Sequence, residues 1–145
     1  MKLVTKTLVV GLIMMGGIAF AQSKATDPDV HARQTLMDSN GAQAGILGGM
    51  AGGKTAFDAA AAEAAKAQLI ANASDIPVKF TNNASDPESH ASPDIWTNWE
   101  DFTAKAAALG AAATALDVSS LETLQAGMAG VGGACKACHT AYRAS

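Results

Sequence analysis

The sequence predicts an all-α protein, an antiparallel four-helix bundle of up-down-up-down order. Alanine is the dominant residue and only 5% of the chain is aromatic, which favours helix over strand. No stretch alternates apolar and polar residues for long, and apolar positions instead recur every three or four residues in separable blocks. Short connections between the first and second blocks, and between the third and fourth, make those pairs antiparallel neighbours.

The first residues read as an export signal. Lys2 and Lys6 make the start positive, Leu8 to Ile18 form a short apolar run, and Ala19-Phe20-Ala21 is a small-x-small cleavage site, with cleavage expected after Ala21. The run is shorter than the roughly 20 residues that cross a bilayer, so no membrane span is expected in the mature protein. Residues 22–145 then make one domain with a single core, and the signal places it in the periplasm. The chain holds 10 basic and 13 acidic residues, and loss of Lys2 and Lys6 widens the acidic excess. Nucleic acid is therefore not an expected partner, whereas steering toward a basic partner surface suits this charge.

The first helix is expected to open at Asp27-Pro28, an acidic cap followed by proline at the first helical position, and to close at Gly52-Gly53. Val30, Met37, Ala44 and Ala51 mark its inner face at spacing seven. The second runs from about Thr55 to Ala73 with Phe57, Ala61, Ala65 and Leu69 inward. Residues 74–92, with Pro77, Pro87 and many Asn, Asp and Ser residues, read as a long loop pinned by Ile76, Val78 and Phe80. Ser92-Pro93-Asp94 opens a third helix whose inward series is Ile95, Trp99, Phe102, Ala106, Leu109, Ala113 and Leu116. Ser119 and Glu122, in capping-box spacing, open the fourth, with Leu121, Leu124, Met128, Val131, Cys135, Cys138 and Tyr142 on one stripe. Gly127, Gly130, Gly132 and Gly133 weaken that helix and leave room for a flat group beside its backbone.

The chemistry concentrates in Cys135-Lys136-Ala137-Cys138-His139, which holds both cysteines and one of three histidines. On a helix turning about 100° per residue, Cys138 lies about 60° to one side of Cys135 and His139 about 40° to the other. All three thus share a face, as covalent attachment of a porphyrin with an imidazole toward its iron requires. Zinc would need about four protein ligands, or three and an open position, and beyond this motif only His31 and His90 are nitrogen donors; both read as surface residues. A redox dithiol belongs at a helix start in a βαβ setting, and these thiols stand near a helix end. Haem is the favoured reading, with zinc and a disulfide as alternatives. No methionine follows His139, so Met37, Met50 and Met128 are the candidates for a second axial ligand after the signal is removed.

A C-terminal C-x-x-C-H followed by x-x-Tyr142-Arg143, on a helical chain with Arg33-Gln34-Thr35-Leu36-Met37 in its first helix and Ile95-Trp96 opening its third, resembles the class II cytochromes c, the cytochrome c′ family. The resemblance spans essentially the whole mature chain. It implies one covalent haem c in a four-helix bundle, often a homodimer. By the same resemblance Cys135 and Cys138 bind the vinyl groups, His139 is the proximal iron ligand, and Met37 faces the distal side as a possible second ligand. Arg33 is expected at a haem propionate, and Arg143 beside the proximal side. Met37, about 14 Å from the start of the first helix, and His139, about 8 Å from the end of the fourth, fall at the same end of an antiparallel pair.

The function expected is that of a periplasmic monohaem electron carrier serving a redox partner protein. The alternative is a five-coordinate haem protein that binds nitric oxide or carbon monoxide, and Met37 discriminates the two. An enzyme is not expected, because no second histidine, carboxylate pair or nucleophile accompanies the motif on its face.

Overall fold

A computed structural model describes residues 25–144, and the export signal expected over residues 1–21 lies outside the described residues. Helix α1 spans Pro28–Ala51. Asp27 caps it, its Oδ1 accepting the N–H groups of Asp29 at 2.9 Å and Val30 at 3.0 Å. The residues it buries are Val30, Arg33, Leu36, Asn40, Leu47 and Met50, whereas Met37, Ala44 and Ala51 are half-buried. A seven-residue repeat drifts about 20° per heptad on a straight helix, and the true inner face carries two polar residues that an apolar pattern passes over.

Helix α2 spans Ala59–Lys79 and is capped by Asp58, whose Oδ1 accepts from Ala61 N at 3.0 Å. It starts later than expected and runs through Pro77, into the segment read as loop. Pro77 lacks the N–H that would bond back one turn, but burial of Ile76 and Phe80 holds the last turn in helical form. Thr81 Oγ1 finishes it by donating to the carbonyls of Pro77 and Val78, each at 3.0 Å. Phe57 and Ala61 are only half-buried; Ala62, Ala65, Leu69, Ala73 and Ile76 form the inner face, and Val78 points to solvent.

The expected third helix is two pieces, α3 at Asp94–Thr97 and α4 at Trp99–Ala115. Asn98 interrupts them at φ −121° and ψ 44°, with its side-chain Nδ2 donating to Asp94 O at 3.2 Å, a local bond that competes with the helical ladder. The inward series holds at Ile95, Phe102, Ala106, Leu109, Ala113 and Leu116, with Trp99 half-buried. Helix α5 spans Leu121–Tyr142. Its capping box is one residue later than expected: Ser120 Oγ accepts from Thr123 N and Thr123 Oγ1 from Ser120 N, both at 3.2 Å. The N–H of Ser119 is held by Asp117 Oδ1 at 2.9 Å. Leu124, Val131 and Tyr142 are buried, Met128, Cys135 and Cys138 half-buried, and Leu121 exposed.

The four long helices pack in a ring, α1 on α2, α2 on α4, α4 on α5 and α5 back on α1. Their directions follow from what meets at each end. The ring of Phe80, at the end of α2, lies 5.2 Å from that of Phe102 near the start of α4; Phe102 lies 5.4 Å from Tyr142 at the end of α5, and Arg33 near the start of α1 stacks over Phe80. At the opposite end, Gln125 Nε2 near the start of α5 donates to Ala51 O at the end of α1, at 2.8 Å. Starts and ends alternate, so neighbouring helices are antiparallel: the chain is the expected four-helix bundle with α3 as one added turn.

The glycines of α5 are not equivalent. A Cβ on Gly127 would stand 2.6 Å from Leu116 Cδ1, whereas one on Gly130 meets nothing within 4 Å. Gly130→Ala should stabilise the holoprotein by up to about 1 kcal/mol through helix propensity. Gly127→Ala should instead destabilise it by on the order of 1 kcal/mol, because buried Leu116 must move. Urea denaturation midpoints should shift in opposite directions, and a gain in both variants would contradict the packing described.

Candidate functional site

At the end of the bundle where α1 begins and α5 finishes lies a cavity of about 610 Å³, within the range of roughly 300–1,000 Å³ usual for bound organic groups. One wall comes from α5, with Cys138, His139, Tyr142 and Arg143; another from α1, with Arg33, Gln34 and Met37. Phe80, Ile95 and Phe102 supply apolar surface, and the strap of residues 88–91 closes a side.

Cys135 and Cys138 are free thiols, both half-buried against the core. Cys138 reaches the cavity wall; Cys135, one turn earlier, packs beside it without lining the cavity. Burial pushes both thiols above their ordinary pKa, opposite to the depressed value of a reactive redox dithiol. Among the described residues no three of His, Cys, Asp and Glu gather as a metal site, so the described residues do not assemble the ligand set that the zinc alternative needs.

His139 also lines the cavity. Burial first, and the charge of Arg143 second, hold its imidazole below the usual histidine pKa, which keeps the ring neutral and its lone pair available near neutral pH. Met37 lines the same cavity from α1. The other two candidates do not: Met50 is sealed in the core, and Met128 packs near Gly48 at the far end of the bundle. The cavity is thus lined by one thiol, one neutral imidazole and one thioether, with the second thiol one turn away on the same helix, a donor set that fits a covalently held haem.

Arg33 is 3% exposed. Its Nε donates to Lys79 O and its Nη1 to Ala84 O, each at 3.2 Å, and Nη2 donates to Asn82 O. The guanidinium lies 5.1 Å from the centre of the Phe80 ring and 5.0 Å from that of Trp96. Burial lowers its pKa, against the opposing effects of Asp29 and Asp27. Arg33, expected at a haem propionate, thus lines the cavity while holding carbonyl and aromatic partners of its own.

The strap is the part that sequence reading missed. Asp86 anchors it to the start of α1, accepting from Thr26 N, Thr26 Oγ1 and Asp27 N at 2.9 to 3.0 Å, and from Glu88 N at 2.8 Å. These bonds hold its carboxyl down at about 2. Farther on, Ser92 N donates to Tyr142 O at 2.9 Å and Ala144 N to His90 O at 2.8 Å, around a backbone bridge between Ala91 and Arg143. His90, read as a surface residue, is exposed but lines the cavity with Glu88 and Ser89. Polar loop composition gives no sign of which strap residues turn inward.

Comparison with known proteins places these features in context. The family model for cytochrome c′ matches residues 29–143. The chain is similar to cytochrome c-556 of Agrobacterium fabrum, 35% identical over 80% of this chain and 75% of that protein. Among solved structures it resembles oxidised cytochrome c556 of R. palustris, with 30% identity, a TM-score of 0.74, and 81% of this chain and 97% of that one covered. It also resembles a nitric oxide complex of a variant cytochrome c′ from Alcaligenes xylosoxidans, with 27% identity, a TM-score of 0.72, and 81% and 94% of the two chains covered.

Tyr142, the one tyrosine of the chain, donates its phenol proton to Asp101 Oδ2 at 2.6 Å. That bond, with burial and the carboxylate's charge, pushes its pKa up to about 12. Because the folded value exceeds the ordinary one near 10, the bond's contribution to stability is complete below pH 10 and is lost as pH rises through about 12. Ultraviolet titration should find tyrosinate forming only above about pH 11, and Asp101→Asn should bring the transition back toward pH 10. An ordinary titration in the wild type would contradict the bond.

Proposed function

The chain belongs to the cytochrome c′ family, and we propose that it is an exported, periplasmic electron carrier with one haem, held by Cys135, Cys138 and His139. The family binds a covalently attached c-type haem, and two cysteines close to this chain's C-terminus fit that attachment. Haem supplies an iron that gains and loses one electron. The observation that carries the reading is that Met37 from α1 and His139 from α5 line one cavity together with Cys138.

Within that reading each side chain has a task. The two thiols would hold the porphyrin to α5 as thioethers. The imidazole of His139, kept neutral by desolvation and by Arg143, would hold the iron from α5, and Met37 would offer it a thioether sulfur from α1. Phe80, Phe102 and Ile95 keep water from the site, and their burial stiffens the surroundings against change between oxidation states. The positive signal at residues 1–21 directs export, and no helix among the described residues is long and apolar enough to cross a membrane. The acidic excess suits a redox partner with a basic surface, and pairing into a homodimer follows the family expectation. No catalytic reaction is assigned.

A second reading has its own support. Met37 is half-buried and belongs to the most adaptable side-chain type, so it can line the pocket without binding iron. A similar protein has been solved as a nitric oxide complex. In that case the distal position takes diatomic gas.

Protein exported with intact cytochrome maturation machinery should hold haem that resists acid-acetone extraction; freely extracted haem, or a colourless zinc protein, would overturn both readings. The electron-carrier reading expects a low-spin spectrum with a sulfur-to-iron band at the red end of the ferric form, and Met37→Ala should convert it to high spin. A high-spin wild type that binds carbon monoxide, and binds it faster in Met37→Ala, would select the gas-binding reading.

A further inference from the structure

We propose that Tyr142 and Asp101 form a proton-coupled redox pair at the cavity wall, in which the phenol yields one electron to a hydroperoxide reacting at the haem while its proton passes to the carboxylate. The proposal rests on the haem reading above and concerns the oxidation of this chain's own side chain. Tyr142 is 6% exposed and lines the cavity, so its ring borders whatever the cavity holds. Its hydroxyl is turned elsewhere, donating to Asp101 Oδ2 at 2.6 Å with a longer contact to Asn98 O at 3.4 Å. Neither of those residues lines the cavity. Electron and proton therefore leave the phenol in different directions.

A phenol that loses an electron becomes a strong acid, so its oxidation is eased where a base already holds the proton. The bond to Asp101 has the length of a charge-assisted hydroxyl-to-carboxylate hydrogen bond and lies within the reach of a general base. Asp101 is exposed, so a proton it accepts exchanges with water, and Lys105 Nζ stands 3.6 Å from the same oxygen. The step balances as follows. The hydroperoxide takes up two electrons and two solvent protons, its O–O bond breaks, and hydrogen peroxide leaves as two waters. One electron comes from ferrous iron, which becomes ferric. The other comes from Tyr142, whose O–H bond breaks as an O–H bond forms on Asp101, leaving a neutral tyrosyl radical beside a carboxylic acid. A one-electron reductant such as ascorbate restores the phenol, and the proton returns from Asp101.

The other oxidisable rings are placed less well. Trp96 Nε1 donates to Phe80 O at 2.8 Å, and a carbonyl is a poor base. The guanidinium of Arg33 lies 5.0 Å from the centre of the Trp96 ring, and its positive charge opposes loss of an electron there. Trp99 does not line the cavity; its ring is 5.6 Å from that of Phe102, which is 5.4 Å from that of Tyr142. Half-buried Trp99 instead extends the ring series toward the surface, a path for the electron that restores the phenol. Among the described residues, Tyr142 is the oxidisable ring that both lines the cavity and faces a carboxylate.

The test uses exported holoprotein carrying Met37→Ala, so that hydrogen peroxide reaches the iron whichever reading of Met37 holds, with and without Asp101→Asn. A pyridine haemochrome assay first establishes covalent haem; its absence would overturn the haem reading and this proposal with it. Ferrous protein is then mixed with hydrogen peroxide, freeze-quenched and read by electron paramagnetic resonance. A tyrosyl signal is expected, and it belongs to Tyr142, the one tyrosine of the chain. It should form more slowly in heavy water, and roughly 100-fold more slowly in Asp101→Asn, whose amide accepts the hydrogen bond but not the proton. No tyrosyl signal, or one that forms as fast in heavy water or in Asp101→Asn, would overturn the proposal and, in protein with full covalent haem, leave the haem reading intact.

Discussion

The structure is organised around a space that its own side chains do not fill, between the start of α1 and the end of α5. Close packing is the rule inside proteins, so a cavity of this size at a helix junction must be held open by what surrounds it. Three features do so here. The Phe80, Phe102 and Tyr142 rings form a contiguous tilted and edge-to-face cluster along its wall. Arg33 fixes α1 to the end of α2 through three carbonyls. The strap is fastened at one end by Asp86 to the start of α1 and at the other by backbone bonds to the end of α5. Each ties two or more elements at the rim, and none depends on side chains meeting across the opening.

The electrostatics of the motif follow from partial desolvation, felt by the two half-buried thiols and also by His139, whose surface is otherwise exposed. Desolvation favours neutral forms, and it acts in one direction on all three motif residues: the thiols are held protonated and the imidazole deprotonated. Arg143 adds to the effect on His139. The same surroundings that keep a redox dithiol from being reactive therefore present a ligand with a free lone pair. Thiols whose resting state is protonated also fit attachment by a dedicated maturation step, since they do not react on their own. Arg143, Glu88 and Asp38 meet solvent at the rim, whereas the buried charge of Arg33 is held by backbone carbonyls and by the Phe80 and Trp96 rings.

Much of this was legible in the residues. Four amphipathic blocks predicted the four long helices, and the inward series from Ile95 to Leu116 held except at half-buried Trp99 beside the break. The C-x-x-C-H spacing predicted one shared face for Cys135, Cys138 and His139; Cys138 and His139 line the cavity, and Cys135 packs beside it. Other features were hidden for physical reasons. The continuation of α2 past Ala73 opposes local propensity at Pro77 and depends on Phe80 meeting rings from α4 and α5, a tertiary effect. The break at Asn98 goes with a local side-chain bond to Asp94 O that an apolar pattern does not register. Arg33 belonged to the inner face, but its carbonyl partners lie 46 to 51 residues away in sequence, beyond any local pattern. The strap's role depends on backbone bonds to Tyr142 and Ala144 that its composition does not encode.

If the cavity exists to hold a bound group, the bundle should depend on that group for its rigidity. The most direct measurement compares the thermal melt of exported holoprotein, followed by far-ultraviolet circular dichroism, with that of Cys135→Ala/Cys138→Ala produced without haem. The account expects the haem-free variant to melt at a clearly lower temperature and with lost cooperativity, because the ends of α1 and α5 then enclose unfilled space. A cooperative melt at the holoprotein's temperature would contradict it, since the bundle would then be complete without anything in the cavity.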